Sequence, residues 1–246
     1  METRRDLKVN GYMSLSGGIY NDVEVNGGVE LSDAVDCINL YANGMINING
    51  GLKADYARIK GKAYVKGSLD CGDFIVSGRA DIDGGAKVKK LGIEGSAVVK
   101  GAIDAEEITV KGEIKSSEGI NAESFHGMGR FRIEGLLNAD KIRMEIFAGC
   151  RVGEMGGQEI TVKRSRYRLG RFVGKILRVL FGPGFHDGLL EADTIEGDEI
   201  YLEYTDAKIV RGRNVTIGEG CRIGLVEYKD TFRQGHRAIV EQSKKV

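Results

Sequence analysis

The stretch that decides the fold runs from Gly44 to Gly112 and repeats a short unit of Val or Ile, one polar residue and Gly. Its units are Ile48-Asn49-Gly50, Ile59-Lys60-Gly61, Val65-Lys66-Gly67, Val76-Ser77-Gly78, Ile82-Asp83-Gly84, Ile93-Glu94-Gly95, Val99-Lys100-Gly101 and Val110-Lys111-Gly112. The glycines are spaced alternately by 11 and 6 residues, which gives a repeat of 17 residues. A fixed period close to about 20 residues indicates a solenoid.

Apolar residues keep the same register as the glycines. One glycine column continues through Gly27, Gly44, Gly61, Gly78, Gly95, Gly112 and Gly129. Four residues before it stand Val23, Leu40, Ala57, Phe74, Leu91, Ile108 and Phe125, and two before it stand Val25, Ala42, Ile59, Val76, Ile93 and Val110, with Gly127 as the exception. Apolar and polar positions alternate, which is strand periodicity. The pattern predicts stacked coils of a parallel β-helix; a sandwich of antiparallel hairpins would not hold so strict a phase.

Composition limits the classes of function. The chain has 246 residues, with 36 basic and 36 acidic side chains, so it offers no global field for nucleic acid, and we expect no nucleic-acid partner. Cys37 and Cys71 fall in one inward column two coils apart, which is too far for a disulfide, and Cys150 and Cys221 lack metal-site spacing. No signal peptide or long apolar run is recognisable, which predicts a cytoplasmic protein.

Breaks in the repeat predict the organisation of the chain. We expect an irregular N-terminal cap over 1–18, the main β-helix over 19–163, an inserted segment over 164–187, further coils over 188–232 and a polar tail over 233–246. The fold class is therefore all-β, a parallel β-helix with 17-residue coils and one inserted amphipathic helix.

The inserted segment from Arg164 to Phe181 has no acidic residue and places its apolar side chains at helical spacing. Gly182-Pro183-Gly184 would end such a helix. Two interpretations stay open: the helix covers an edge of the β-helix, or it lies on the anionic inner face of the cell membrane. Candidate membrane or partner contacts are Arg168, Leu169, Arg171, Phe172, Lys175, Ile176, Leu177, Arg178, Leu180 and Phe181.

The sequence offers no recognisable catalytic, cofactor or metal site. His126, His186 and His236 belong to no catalytic or metal-binding cluster, and the glycines precede strands and corners rather than a phosphate-binding helix. The enzyme alternative is a left-handed β-helix acyltransferase, since residues 217–224 (Ile-Gly-Glu-Gly-Cys-Arg-Ile-Gly) fit the hexapeptide repeat of that family for little more than one unit. We therefore predict a protein that is not an enzyme and needs no cofactor.

The repeated Val/Ile-x-Gly units, in phase over about residues 19–146, resemble the bactofilins. That resemblance implies a right-handed parallel β-helix that polymerises end to end without nucleotide. The run Leu190–Glu203 looks like the C-terminal half of longer bactofilin-like proteins of Gram-positive bacteria, and in that group the resemblance implies scaffolding, including support of flagellar assembly and motility. Short tails and a basic insertion depart from the typical pattern, and they put polymerisation in question.

The resemblance implies a cytoskeletal scaffold that forms a head-to-tail homopolymer, with other bactofilins as further candidate partners. The basic segment adds an anionic membrane surface as a candidate partner. Contacts would use the first and last coils, because only these present unpaired backbone groups. We therefore predict that Leu7 and Val9 at one end, and Val226 and Tyr228 at the other, take part in self-assembly. A capped β-helix that serves as a non-polymerising adaptor is the other alternative.

Overall fold

The structure is a computed structural model that describes residues 4–146, 148–165 and 188–246. Within these residues every regular element is a β-strand, and the strands pair in parallel. The chain divides into two compact units, residues 1–121 and 122–246. The predicted all-β parallel solenoid is confirmed.

Unit 1 alternates long and short strands. They are β1 (Arg5–Val9), β2 (Tyr12–Leu15), β3 (Gly18–Val25), β4 (Gly28–Leu31), β5 (Val35–Ala42), β6 (Met45–Ile48), β7 (Leu52–Ile59), β8 (Lys62–Val65), β9 (Leu69–Val76), β10 (Arg79–Ile82), β11 (Ala86–Ile93), β12 (Ser96–Val99) and β13 (Ile103–Ser116). From β3 onward one eight-residue strand and one four-residue strand form each regular coil. Leu52 pairs with Val35 and with Leu69, which confirms the 17-residue repeat.

The predicted inward columns form the core of unit 1. Val23, Leu40, Ala57, Phe74, Leu91 and Ile108 are each at most 4% exposed. Because one coil cannot enclose its own interior, these side chains are buried only when neighbouring coils stack. The alternation that predicted strands therefore also predicted the interior.

Close stacking of the coils explains the main glycine column. A Cβ added to Gly44 would lie 1.9 Å from the carbonyl oxygen of Gly27, and one added to Gly61 would lie 2.0 Å from that of Gly44. Real Cβ atoms do not approach an oxygen so closely, so each glycine is required by the backbone of the coil before it. Space between coils, rather than an unusual backbone angle, selects glycine at these two corners.

Unit 2 holds longer strands with less regular spacing. They are β14 (Gly119–Ile146), which begins at the last residues of unit 1, then β15 (Cys150–Arg164), β16 (Leu190–Leu202), β17 (Thr205–Ile217), β18 (Arg222–Gln234) and β19 (Ile239–Lys245). Ile146 pairs with Arg164, Leu190 with Thr205, and Arg222 with Ile239. Register partners on neighbouring coils of this unit are therefore 18, 15 and 17 residues apart in the sequence.

Three predicted boundaries differ from the structure. Residues 1–18 were expected to be irregular, yet β1 and β2 extend the stack there, and 233–246 were expected to be a tail, yet β19 pairs with β18. The pattern is weak in these strands because their inward positions are only partly covered, and in β19 they include polar residues such as Ser243. Arg164, the predicted first residue of the basic helix, is the last residue of β15. The rest of the predicted helix beyond Ser165 lies outside the described residues.

Candidate assembly surface at the first coil

The first coil of unit 1, formed by β1 and β2, is paired on one side only. β1 pairs with β3 and β2 pairs with β4, and within the described residues no strand lies on the outer side of either. Parallel strands direct alternate backbone groups to opposite sides. The outer edge of this coil therefore presents backbone N–H and C=O groups that another strand could bind.

The same coil leaves part of the hydrophobic core uncovered. Met13 pairs in register with Val29, which is 1% exposed, but Met13 itself is 39% exposed. Leu7 and Leu15 occupy inward columns and are half-buried, whereas Val9 is fully buried. Covering this apolar end with a further layer of protein would remove its side chains from water, which is favourable.

An aromatic side chain extends the apolar character onto the outer face of the coil. Tyr12 is 72% exposed, and its ring lies over Gly28, where an added Cβ would be 2.6 Å from Tyr12 Cδ2. Of the large exposed apolar side chains in this part of the chain, Tyr12 and Met13 belong to the first coil, whereas Ile19, Ile38, Tyr41 and Met45 lie on later coils. Exposed aromatic and Met side chains are typical of protein interfaces.

Ion pairs hold the first coil on the coils beneath it. Arg4 contacts Asp36 at 2.8 Å and donates a second hydrogen bond to the carbonyl oxygen of Tyr20, also at 2.8 Å. Lys8 Nζ lies 2.7 Å from Glu24, and this hydrogen bond raises the pKa of Lys8. Arg4 thus reaches across two coils, and the open surface is anchored before any partner binds.

The last strands of unit 2 form a different kind of end. β19 pairs with Arg222–Tyr228, and within the described residues no strand covers Thr231–Gln234 on the outer side of β18. Inward columns become polar here, since the register partner of Val226 on the next coil is Ser243 and that of Ile217 is Gln234. This end therefore exposes less apolar core than the first coil does.

Of the four predicted self-assembly residues, two lie on an outermost strand and two lie on a strand that another strand covers. Leu7 and Val9 lie on the outermost strand β1, as predicted. Val226 and Tyr228 lie on β18 and pair with Ser243 and Lys245 of β19, so they are not on the last coil. The polar sequence of β19 concealed this further strand. The ten membrane or partner residues predicted between Arg168 and Phe181 lie outside the described residues.

The cysteines of both units are buried. All four are free thiols, and each is at most 4% exposed. Burial raises the pKa of Cys37, Cys71 and Cys150 to about 12 and that of Cys221 to about 11. Thiols that stay protonated and inaccessible are poor nucleophiles and poor metal ligands, so they act as small core residues.

The histidines that the structure describes, His126 and His236, are both exposed. Among the described residues, no group of three or more His, Cys, Asp or Glu side chains is positioned to hold a metal ion. In the same part of the chain, no helix is long and apolar enough to span a bilayer.

Comparison with known proteins adds two relatives. No family model matches the chain, and no solved structure matches it significantly. Over 94 residues it is 42% identical to the uncharacterized protein YhbF and 36% identical to the uncharacterized protein YhbE, both of Bacillus subtilis (strain 168). Each match covers 38% of this chain, and the chain spans only about a third of these curated relatives, 34% and 38% of their lengths.

Proposed function

We propose that this chain is a non-enzymatic scaffold of bactofilin type that assembles with further copies of itself through its open first coil. The observation that carries the proposal is the exposed core at Met13, beside the unpaired outer edge of β2. A partner that adds a strand there would satisfy backbone groups and cover apolar side chains at the same time. The regular stack below would act as a stiff spacer in such an assembly.

The proposed assembly is a head-to-tail homopolymer with right-handed coils. In this arrangement the first coil of one copy meets β18 and β19 of the next, whose outer edge is uncovered at Thr231–Gln234. A heterologous contact of this kind forms open filaments when its rotation does not close a ring, and the proposal is the open form. Support of the cell envelope or of flagellar assembly, in the cytoplasm, is the role that the resemblance implies for such filaments.

A matched pair of methionines tests the assembly. Met13 and Met45 have similar exposure, 39% and 43%, but Met13 occupies the end of an inward column and Met45 the outer face of β6. Met13→Lys places a charge in the proposed contact and should weaken association by about 10-fold or more, while Met45→Lys should leave it unchanged. Sedimentation velocity over a range of concentrations, with electron microscopy, measures both.

The possible results separate the forms of assembly. Open-ended growth that Met13→Lys abolishes is the expected result. A distribution that stops at dimers, yet is still sensitive to Met13→Lys, would replace the head-to-tail polymer by a closed pair of first coils. Wild-type protein that stays monomeric at high concentration, or equal effects of the two substitutions, would overturn the proposal.

The basic segment supports a second, peripheral partner. Its sequence predicts an amphipathic helix whose apolar face, including Ile176, would lie in the headgroup region of an anionic membrane. Flotation with anionic and with neutral vesicles tests this: binding to anionic vesicles alone, lost in Ile176→Asp, is expected. If wild-type protein binds neither vesicle and Ile176→Asp lowers the melting temperature, the segment covers the β-solenoid instead.

A further inference from the structure

One outward column of unit 1 alternates strictly in charge. The column consists of Asp36, Lys53, Asp70, Lys87 and Asp104, which are register partners on five successive coils. The outward column two positions later reads Ile38, Asp55, Gly72, Lys89 and Glu106, without alternation. Strict alternation in one column of the repeat calls for a specific physical reason.

Among the residues that the structure describes, four of these charges have no ion-pair partner. Asp36 binds Arg4, but within the described residues Lys53, Asp70, Lys87 and Asp104 have no opposite charge within 4.0 Å, and all four are exposed. Elsewhere in unit 1 charged neighbours do meet, as at Lys100 and Asp83, 2.7 Å apart. We name the four unpaired residues the charge column.

The surroundings of the charge column allow a close approach. Two positions before the charge column, each coil has a small residue: Gly51, Ser68, Gly85 and Ala102. On its other side an open groove has a floor of small or buried side chains, including Ala54, Cys71 and Gly72. The charge column therefore has small residues on one side and the groove on the other, beyond which Asp55, Lys89 and Glu106 are also exposed, and its charged heads are accessible to a partner.

We propose that the charge column is a lateral docking surface for a second copy of this chain. The two copies lie antiparallel, related by a two-fold axis that crosses between the coils of Asp70 and Lys87. In this register Lys53 meets Asp104 of the second copy and Asp70 meets its Lys87, and the symmetry repeats both pairs. All four unpaired charges then have an opposite partner, independently of the end contact proposed above.

The chemistry of the column argues for a second copy over other partners. Two lysines and two aspartates sum to no net charge, so the column gives no attraction to a nucleic acid or an anionic membrane. A complementary surface must alternate in sign with the spacing of stacked strands, roughly 4.8 Å. The chain itself carries such a surface, and the small residues beside the column face their own equivalents across the same axis.

Charge variants in a Met13→Lys background test the docking surface separately from the end contact. Lys53→Asp with Lys87→Asp makes the column wholly acidic, and Asp70→Lys with Asp104→Lys makes it wholly basic. In sedimentation equilibrium at low salt, the dimer dissociation constant of each variant should rise by about 10-fold or more. A mixture of the two variants should dimerise again. The fourfold swap, which inverts every sign but keeps the alternation, should dimerise like the parent.

Lys62→Asp with Lys111→Asp is the matched control, since both lysines are exposed in unit 1 but lie outside the charge column. It makes the same change in net charge and should leave dimerisation unchanged. Added salt should weaken the parent dimer because exposed pairs are screened. A folded acidic variant that dimerises like the parent, a mixture that does not associate, or a monomeric parent would each overturn the docking surface. Failure of the end contact is seen in a different experiment: Met13→Lys alone would then leave the association of the otherwise wild-type protein unchanged.

Discussion

The ring of Phe131 occupies the space in which Gly127 would carry a side chain. A Cβ added to Gly127 would lie 2.6 Å from Phe131 Cζ and 2.9 Å from Phe125 Cε1. The two rings are fully buried and meet edge to face, with centroids 5.6 Å apart. The glycine that interrupts an apolar column is therefore a packing solution, in which two large rings fill the interior in place of one aliphatic side chain.

Phe131→Ala tests this packing. Removing a buried ring should lower the free energy of unfolding by about 3–5 kcal/mol, because a cavity remains that the rigid coils cannot close. Gly127→Val should also destabilise, by about 1–3 kcal/mol, through overpacking. Denaturant unfolding followed by circular dichroism measures both. Changes below about 1 kcal/mol in either variant would mean that the rings do not pack as described.

The interior of unit 1 could be predicted from sequence because each coil repeats the same inward positions. Val76 and Ile93 follow from their place in the period alone, without knowledge of any partner. The exception at Gly127 could not be predicted, since it depends on the ring of Phe131 filling the space beside it, which the repeat does not show. The strand β19 was missed for a related reason: its inward positions carry Ser243 rather than Val or Ile, so nothing in its pattern marks it.

The candidate site was predicted in part. Leu7 and Val9 were predicted as assembly residues because only the first and last coils present unpaired backbone groups. Met13 was not singled out, although it stands four residues after Val9, because only the register with Val29 reveals that it belongs to an inward column. An exposed residue in a core column becomes visible once the neighbouring coil is known.

A strained corner in unit 2 gives a second stability prediction. Tyr204 has φ 47°, and Gly220 has φ 73° with the Tyr204 ring 2.5 Å from the position of an added Cβ. Tyr204 also donates a hydrogen bond of 2.7 Å to Glu219. Gly220→Ala should cost about 1–3 kcal/mol of unfolding free energy, since it combines a left-handed backbone with a steric conflict. Gly149→Ala, where the space is open, is the control and should change stability far less.

Asp83 predicts a pH dependence of stability. Hydrogen bonds from Lys100 and from Tyr64 lower the pKa of Asp83 below its ordinary value of 3.8. A carboxyl whose pKa is lower in the folded state stabilises above the unfolded-state pKa, and this contribution is lost as the pH falls through the folded pKa. Asp83→Asn should therefore flatten the decline in unfolding free energy below about pH 4. Identical acid titrations of wild type and Asp83→Asn would contradict this role.

The buried thiols predict resistance to modification. With their pKa raised to about 11 or 12 and their side chains inside the coils, the four cysteines should react with a disulfide reagent at pH 8 roughly 100-fold or more slowly than in denatured protein. Reaction of all four on denaturation is the control. A thiol that reacts rapidly in native protein would show that at least one inward column is open to solvent.

Hydrogen exchange of the backbone amides of β2, compared at low and high protein concentration, tests the open first coil most directly. The outer-edge amides of Tyr12 and Ser14 should exchange rapidly in dilute protein and become protected as copies assemble, and Met13→Lys should abolish that protection. Amides of β8, which lie between β6 and β10, should be protected at every concentration. Protection of Tyr12 and Ser14 that does not depend on concentration would contradict assembly through the first coil.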